Sequence, residues 1–160
     1  MKALLLNDSD VDLSSKIPIG YIDIRVFAHA TEDTEKVLNA VRNILPKEVV
    51  DTVTFKKSSL AGHHGNPIIL FEARIKEKSA SQAVFEKLTS SLSMLDKEQL
   101  NSEIMQHLEK GSLYLRFDKQ SAYLNEVKFS SVDPIHFRIQ FQKHSEEEVI
   151  EICRKFGLLP

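Results

Sequence analysis

Residues 21–28 read Tyr-Ile-Asp-Ile-Arg-Val-Phe-Ala, and this stretch decides the fold. The β-branched residues Ile22, Ile24 and Val26 alternate with aromatic or charged side chains. A period of two is typical of a strand that buries one face and exposes the other. The sequence therefore predicts a sheet with one apolar face and one open face.

Helix and strand patterns continue downstream of this strand. Thr31 is predicted to cap a helix that ends near Pro46. Further strands are predicted over residues 50–57 and 68–76, and we expect these two to pair as an antiparallel hairpin.

The second half of the chain carries three more helix patterns and two more strand patterns. Helices are predicted over residues 81–92, from an Asp96 cap to Gly111, and from a Ser145–Glu148 capping box to Gly157. The strands are predicted over residues 113–117 and 135–141. Together these patterns predict an α+β fold, with a mixed, mostly antiparallel sheet of about five strands and helices packed on one face.

Length and composition indicate one compact unit. The chain has 160 residues, of which 42% are hydrophobic, enough for one buried core. Residues 1–19 show no sustained period and are predicted to be an N-terminal extension, and residues 20–160 to be a single α+β domain.

The compartment is indicated by two features. No stretch approaches the roughly 20 apolar residues of a membrane helix, and Asp8, Asp10 and Asp12 exclude a secretory signal. The single cysteine, Cys153, excludes an internal disulfide framework. A cytoplasmic protein without membrane contact is therefore expected.

The open face of the predicted sheet concentrates arginine and aromatic residues. Four of the six arginines fall there. The full set is Tyr21, Arg25, Phe27, Arg74, Tyr114, Arg116, His136, Arg138 and Gln140. Arginine binds phosphate bidentately and aromatic rings stack on bases, so this pattern favours single-stranded RNA. The alternative is that Asp23, Glu72 and Asp118 pair with these arginines on an ordinary solvated surface.

The formal net charge is −2, so any nucleic-acid site must be a local patch. Two loop segments are candidates. The loop over residues 62–67 carries His63, His64 and Asn66, and with Lys56 and Lys57 nearby it suits a phosphate or a base edge. Its glycines are equally compatible with a hairpin loop of purely structural purpose.

The second candidate segment covers residues 116–120. Arg116, Lys119 and Gln120 stand together there at a strand end, where scaffolds commonly place binding groups.

No constellation for catalysis is present in the sequence. His29-Ala30-Thr31 matches one half of a paired His-x-Thr/Ser phosphoesterase signature, and no second copy exists. Neighbouring His63 and His64 lack the spaced ligands typical of zinc, and there is no glycine-rich phosphate loop. We therefore predict no catalytic residue, no metal and no cofactor.

Three segments carry a family resemblance: residues 24–33, 62–68 and 115–120. Together they resemble an archaeal family of small predicted RNA-binding proteins, described as a proposed exosome subunit with a double-stranded-RNA-binding-like fold. The resemblance implies a fold similar to the ribosomal protein that contacts 5S rRNA, and a role near RNA processing or translation.

The first hypothesis from the sequence is an RNA-binding accessory protein. Its expected partners are RNA and exosome or ribosomal proteins. The proposed RNA-binding residues are Lys56, Lys57, His63, His64, Asn66, Arg116, Lys119, Gln120, Arg25, Arg74, Tyr114 and Arg138. A protein-interaction module that docks without RNA is the second hypothesis, and an enzyme using His29 or the His63/His64 pair is the third. A free sheet edge would also allow a homodimer.

Overall fold

The structure, a computed structural model, describes residues 16–62, 65–142 and 144–160. It confirms the α+β class. The strands are β1 (Ile19–Ala28), β2 (Lys56–Ala61), β3 (Pro67–Ile75), β4 (Leu108–Glu109), β5 (Ser112–Phe117) and β6 (Ile135–Phe141). They form one sheet in the order β2-β3-β1-β6-β5-β4, and every neighbouring pair is antiparallel.

The helices in the described residues are α1 (Thr34–Asn43), α2 (Lys47–Val50), α3 (Lys78–Ser91), α4 (Met94–Ser102), α5 (Lys119–Tyr123) and α6 (Glu146–Lys155), with a 3-10 helix over Ile104–His107. They cover the apolar face of the sheet. Phe85 of α3 meets Phe141 of β6 edge-on, with ring centroids 6.3 Å apart. Ile22, Ile24 and Val26 of β1 are fully buried beneath the helices. The opposite face of the sheet is therefore the open one.

The strand predicted over residues 50–57 begins later than expected. Pro46 starts the short helix α2, whose Val49 and Val50 amides donate to the Pro46 carbonyl at 3.0 and 3.1 Å. Val49 is thus buried by a helical turn. The strand itself runs over Lys56–Ala61, and its antiparallel hairpin with β3 is confirmed.

Two predicted helix caps were wrong by a few residues. Asp33 caps α1, because its carboxylate accepts the amides of Glu35 and Lys36, whereas Thr31 precedes the helix in a turn. Ser93 caps α4 by accepting the Asp96 amide at 3.1 Å. In both places a neighbouring polar residue of equal capping propensity takes the position.

The prediction that Gly111 ends a helix was also wrong. Gly111 and Lys110 both have positive φ, at 79° and 50°, and form the tight turn between β4 and β5. A Cβ on Gly111 would lie 3.0 Å from the His144 carbonyl, so packing as well as backbone geometry favours glycine here. The two-residue strand β4 makes six strands where about five were expected.

The capping box at the last helix is confirmed. Ser145 Oγ accepts the Glu148 amide and the Glu148 carboxylate accepts the Ser145 amide, at 3.2 and 2.8 Å. Cys153 of this helix is buried, which raises the pKa of its thiol to about 12. Its role is therefore packing.

The division between extension and domain at residue 20 stays a prediction, since residues 1–15 lie outside the described residues. Ile17 and Ile19 are buried and join the core. None of the helices in the described ranges has the length and apolarity needed to cross a bilayer.

Candidate nucleic-acid interface

One row of side chains crosses five strands of the open face. Register pairs link Lys56 to Glu72, Glu72 to Arg25, Arg25 to His136 and His136 to Arg116. Register partners lie on the same face, and neighbouring strands are about 4.8 Å apart. We call this set the Arg25 row. It places three basic side chains side by side on β1, β6 and β5.

Only one cation of the Arg25 row, Arg25 itself, is paired with a carboxylate of the described residues. Arg25 Nε lies 3.5 Å from a Glu72 carboxylate oxygen, and both side chains are about half exposed. Arg116 is exposed, and no carboxylate lies within 4.0 Å of it in the described part of the chain. Lys56 is exposed and likewise has no ion pair among the described residues. The row therefore ends in an uncompensated cation on each side.

His136 lies between two guanidinium groups. Burial lowers the pKa of its imidazole, and the positive charges of Arg116 and Arg25 lower it further, while Asp133 opposes the shift. The imidazole is consequently held in its neutral form more strongly than a free histidine. An anion placed between the two arginines would relieve this effect.

A second row lies beside the first and consists of Arg74, Asp23, Arg138 and Tyr114. Arg74 donates two hydrogen bonds to the Asp23 carboxylate, at 2.6 and 2.9 Å, and its guanidinium lies 4.0 Å from the Tyr21 ring centroid. The carboxylate raises the pKa of Arg74. Arg74 therefore forms the cross-strand ion pair with Asp23 that was the alternative interpretation of the open face.

Arg138 is held differently from Arg74. Its Nε donates to Ser112 Oγ at 3.1 Å, and its guanidinium lies 5.7 Å from the ring centroids of both Tyr21 and Tyr114. It has no carboxylate partner among the described residues. Arg138 is thus oriented by neutral groups and is not ion-paired with any described carboxylate.

Lys119 is drawn away from the open face into an ion-pair network. Its ammonium donates to the Phe27 carbonyl at 2.6 Å, to Glu32 at 3.1 Å and to Asp133 at 2.8 Å, and only 13% of the side chain is exposed. Asp133 also contacts His29 Nε2 at 3.1 Å. Burial opposes ionisation of Asp133, but the hydrogen bonds from Lys119 and His29 outweigh it and lower the pKa of this carboxyl.

The geometry gives Lys119 a structural role, because its three acceptors belong to the end of β1, the turn before α1 and the loop before β6. Ligand atoms of His29, Glu32 and Asp133 lie within 4.8 Å of one another, a spacing that would suit a cation. The ammonium of Lys119 already supplies positive charge at this point. Asp133 belongs to no sequence pattern that indicates a site, and only the fold places it beside Lys119 and His29.

Two of the other predicted contact residues, Lys57 and Gln120, do not share the open face. Lys57 pairs with the buried Phe71, so its side chain points to the other side of the sheet. Gln120 lines a cleft between α1 and α5. Asn66 is exposed at the start of β3. His63 and His64 lie outside the described residues.

Known proteins are similar to this chain over most of its length. The model of a protein family described as RNA binding matches residues 21–141. The RNA-binding protein PAB1135 of Pyrococcus abyssi is 38% identical over 149 residues, which are 90% of this chain and 97% of that protein. Protein MJ0213 of Methanocaldococcus jannaschii is 32% identical over 139 residues, 82% of this chain and 93% of that protein.

A solved structure shows the same fold. The structure of a DUF54 protein from Methanothermobacter thermautotrophicus superposes with a TM-score of 0.72 at 30% identity, covering 87% of this chain and 98% of that chain. The range matched by the family model, residues 21–141, contains both rows of the open face.

Proposed function

The chain belongs to the RNA binding family, and from this premise we propose that the open sheet face is the surface that holds RNA. The observation that carries the proposal is the alignment of Arg25, His136 and Arg116 on three adjacent strands. Arg25 and Arg116 flank the neutral His136, and each guanidinium can bind a phosphate. Affinity for RNA rests mainly on such phosphate neutralisation.

The two ends of the Arg25 row supply most of the attraction in this proposal. Arg116 and Lys56 are exposed and without a carboxylate partner in the described residues, so neither has to break an ion pair to bind a phosphate. Arg25 would exchange a 3.5 Å contact with Glu72 for a phosphate. An exposed pair of this kind contributes little to stability.

The second row orients the bound strand in this proposal. Arg138, fixed between two tyrosine rings, presents a planar cation, and Tyr114 presents part of its ring. Bases stack on both arginine planes and aromatic rings. Arg74, which is committed to Asp23, serves to hold Tyr21 in place.

Fluorescence-anisotropy titration with short labelled RNAs at low and physiological salt tests the proposal. Arg116→Ala is expected to weaken binding for every RNA sequence and to reduce the magnitude of the salt slope by about 0.7 to 1. The matched control is Arg42→Ala. Arg42 lies on α1, behind the sheet, and 39% of its side chain is exposed.

The control distinguishes RNA binding at a defined surface from attraction by the net charge of the protein. Both variants remove one positive charge, so equal losses would mean that RNA senses only net charge. If wild-type protein binds no RNA at low salt, or if Arg116→Ala leaves affinity unchanged, the open face is not the RNA site.

We further propose an accessory, non-catalytic and cytoplasmic role beside an exosome or a ribosomal complex. The resemblance of residues 62–68 and 115–120 supports this association. Co-purification of the tagged chain with exosome or ribosomal proteins, lost after nuclease treatment, is the expected result.

The second candidate function is a docking module for protein, and the exposed edge strand β2 favours it. Leu60 on β2 is 43% exposed, and among the described strands β2 pairs only with β3, so its other edge has no partner there. Such an edge can accept a strand from a partner or from a second copy of the chain. A complex that survives both nuclease and high salt would favour this function over RNA binding.

A further inference from the structure

A small cleft lies at one end of the open face. It is formed by His29, Ala30 and Thr31 after β1 and by Asn66, Pro67 and Ile68 at the start of β3, and its volume is about 200 Å³. Strand alternation places Phe27 on the same side as Arg25 and Ile68 on the same side as Glu72, and His29 follows directly after the end of β1. The cleft is therefore a continuation of the open face, roughly 13 Å along β1 from Arg25, since a strand rises about 3.3 Å per residue.

The side chain of His29 is held in a fixed orientation at one wall of the cleft. Its Nε2 contacts Asp133 at 3.1 Å, and Asp133 is in turn fixed by Lys119 at 2.8 Å. The backbone amide of His29 donates to Glu32 Oε1 at 2.9 Å. The ring is thus an ordered flat surface on which a base can stack.

The opposite wall is built by Asn66, Pro67 and Ile68. The Gly62 amide donates to the Asn66 carbonyl at 2.7 Å. A Cβ on Gly62 would lie 2.4 Å from that carbonyl oxygen, so the close approach requires glycine. This contact fixes the backbone of Asn66 and leaves its side-chain amide without a hydrogen-bond partner in the described residues.

The chemistry of the cleft matches a nucleobase. A carboxamide offers one donor and one acceptor group side by side, which is the pattern that reads a base edge. Ile68, Pro67 and Ala30 add apolar contact for the ring. A cavity of about 150 Å³ accommodates a benzene ring, so the cleft has room for one base and none for a base pair.

We propose that this cleft receives one unpaired base of an RNA strand whose phosphates lie on the Arg25 row, with Asn66 as the residue that discriminates between bases. The proposal rests on RNA binding by the open face and makes single-stranded RNA the substrate class. The neighbouring Phe27, which also lies on this face of β1, provides apolar contact between the row and the cleft.

The test compares three single-stranded homopolymers of equal length, made of A, C or U, and one duplex, by fluorescence anisotropy at constant salt. Wild-type affinities are expected to differ between homopolymers by roughly 5- to 150-fold, the discrimination of one bidentate amide–base contact. Duplex RNA is expected to bind more weakly than the preferred homopolymer. Asn66→Ala is expected to remove most of the difference and to keep the salt slope.

Two further variants, one in the cleft and one remote from it, test whether the cleft is the site that discriminates between bases. Ala30→Leu fills the cleft with apolar volume and offers no hydrogen bond, so it is also expected to remove the difference between bases. Asn39→Ala is the matched control, because Asn39 is an exposed asparagine on α1, behind the sheet, and should leave all affinities unchanged.

The outcomes separate this inference from the proposed function. Absence of RNA binding by wild-type protein would overturn both. Binding that Arg116→Ala weakens, with equal affinity for the three homopolymers or with discrimination that survives Asn66→Ala and Ala30→Leu, would overturn the base cleft alone.

Discussion

The arginines of the open face have different roles at the scale of single residues. Arg74 is committed to Asp23 by two hydrogen bonds, whereas Arg116 and Arg138 have no carboxylate partner in the described chain. An arginine that must break a bidentate pair gains less from a phosphate than one that is free. Among the arginines of the open face, Arg116 and Arg138 are therefore expected to have the largest effect on RNA affinity.

RNA affinity is expected to rise as pH falls through the titration range of His136. In free protein, burial and two arginines lower the pKa of His136. A phosphate between Arg25 and Arg116 would raise it, so binding would take up a proton. Affinity then increases with falling pH, by at most about tenfold per pH unit for one linked proton, and levels off below the pKa of the free protein.

The measurement is anisotropy titration from about pH 7.5 to about pH 5.5, which covers the range where histidine titrates. His136→Gln should remove the pH dependence and keep binding. A pH profile that the variant leaves unaltered would show that another group is responsible.

Loss of the Lys119 ammonium is expected to lower the free energy of unfolding. Lys119→Met keeps the aliphatic stem, but it removes the hydrogen bonds that the Glu32 and Asp133 carboxylates and the Phe27 carbonyl accept from the ammonium. Losing hydrogen bonds to charged groups in a partly buried site costs about 1–3 kcal/mol. Urea denaturation at neutral pH measures the change.

Lys128→Met is the control for this prediction. Lys128 pairs with Glu126 at 3.8 Å, and both side chains are more than half exposed, so its loss should change stability by less than about 0.5 kcal/mol. Equal effects of the two variants would contradict a structural role for Lys119.

At the scale of elements, α1 offers a direct comparison of two neighbouring capping residues. Asp33 accepts the amides of Glu35 and Lys36 at 2.9 and 3.4 Å, while Thr31 lies outside the helix. Asp33→Ala is expected to cost about 1 kcal/mol of stability. Thr31→Ala should lower stability by at most about a few tenths of a kcal/mol. Thermal unfolding of both variants decides which residue caps the helix.

At the scale of the whole molecule, the net charge of −2 makes RNA binding depend on a local patch. The cations proposed to bind phosphates are Lys56 and Arg116, which have no carboxylate partner in the described residues, and Arg25, which would exchange Glu72 for a phosphate. Each phosphate neutralised on a single strand contributes about −0.7 to the slope of log K against log salt. A slope of about −2 is therefore expected from titrations at several salt concentrations, and a slope near zero would favour the docking module.

The sequence alone determined the sheet and its two faces. A period of two at Ile22, Ile24 and Val26 has one physical solution, a half-buried strand, and Arg25, between two of these residues, must then lie on the open face. Capping at Ser145 was equally predictable, because both partners of the box lie within one helical turn. Other boundaries, such as Thr31 against Asp33, depend on a choice between neighbouring residues of similar propensity.

Tertiary structure decided which of these groups act together. Strand order brings Arg25, His136 and Arg116 into one row, although more than 90 residues separate the first from the last in the chain. It also withdraws Lys119 from the surface by placing Glu32 and Asp133 around its ammonium. Pairwise contacts between distant segments follow from register and loop packing, and no local pattern in the sequence encodes them.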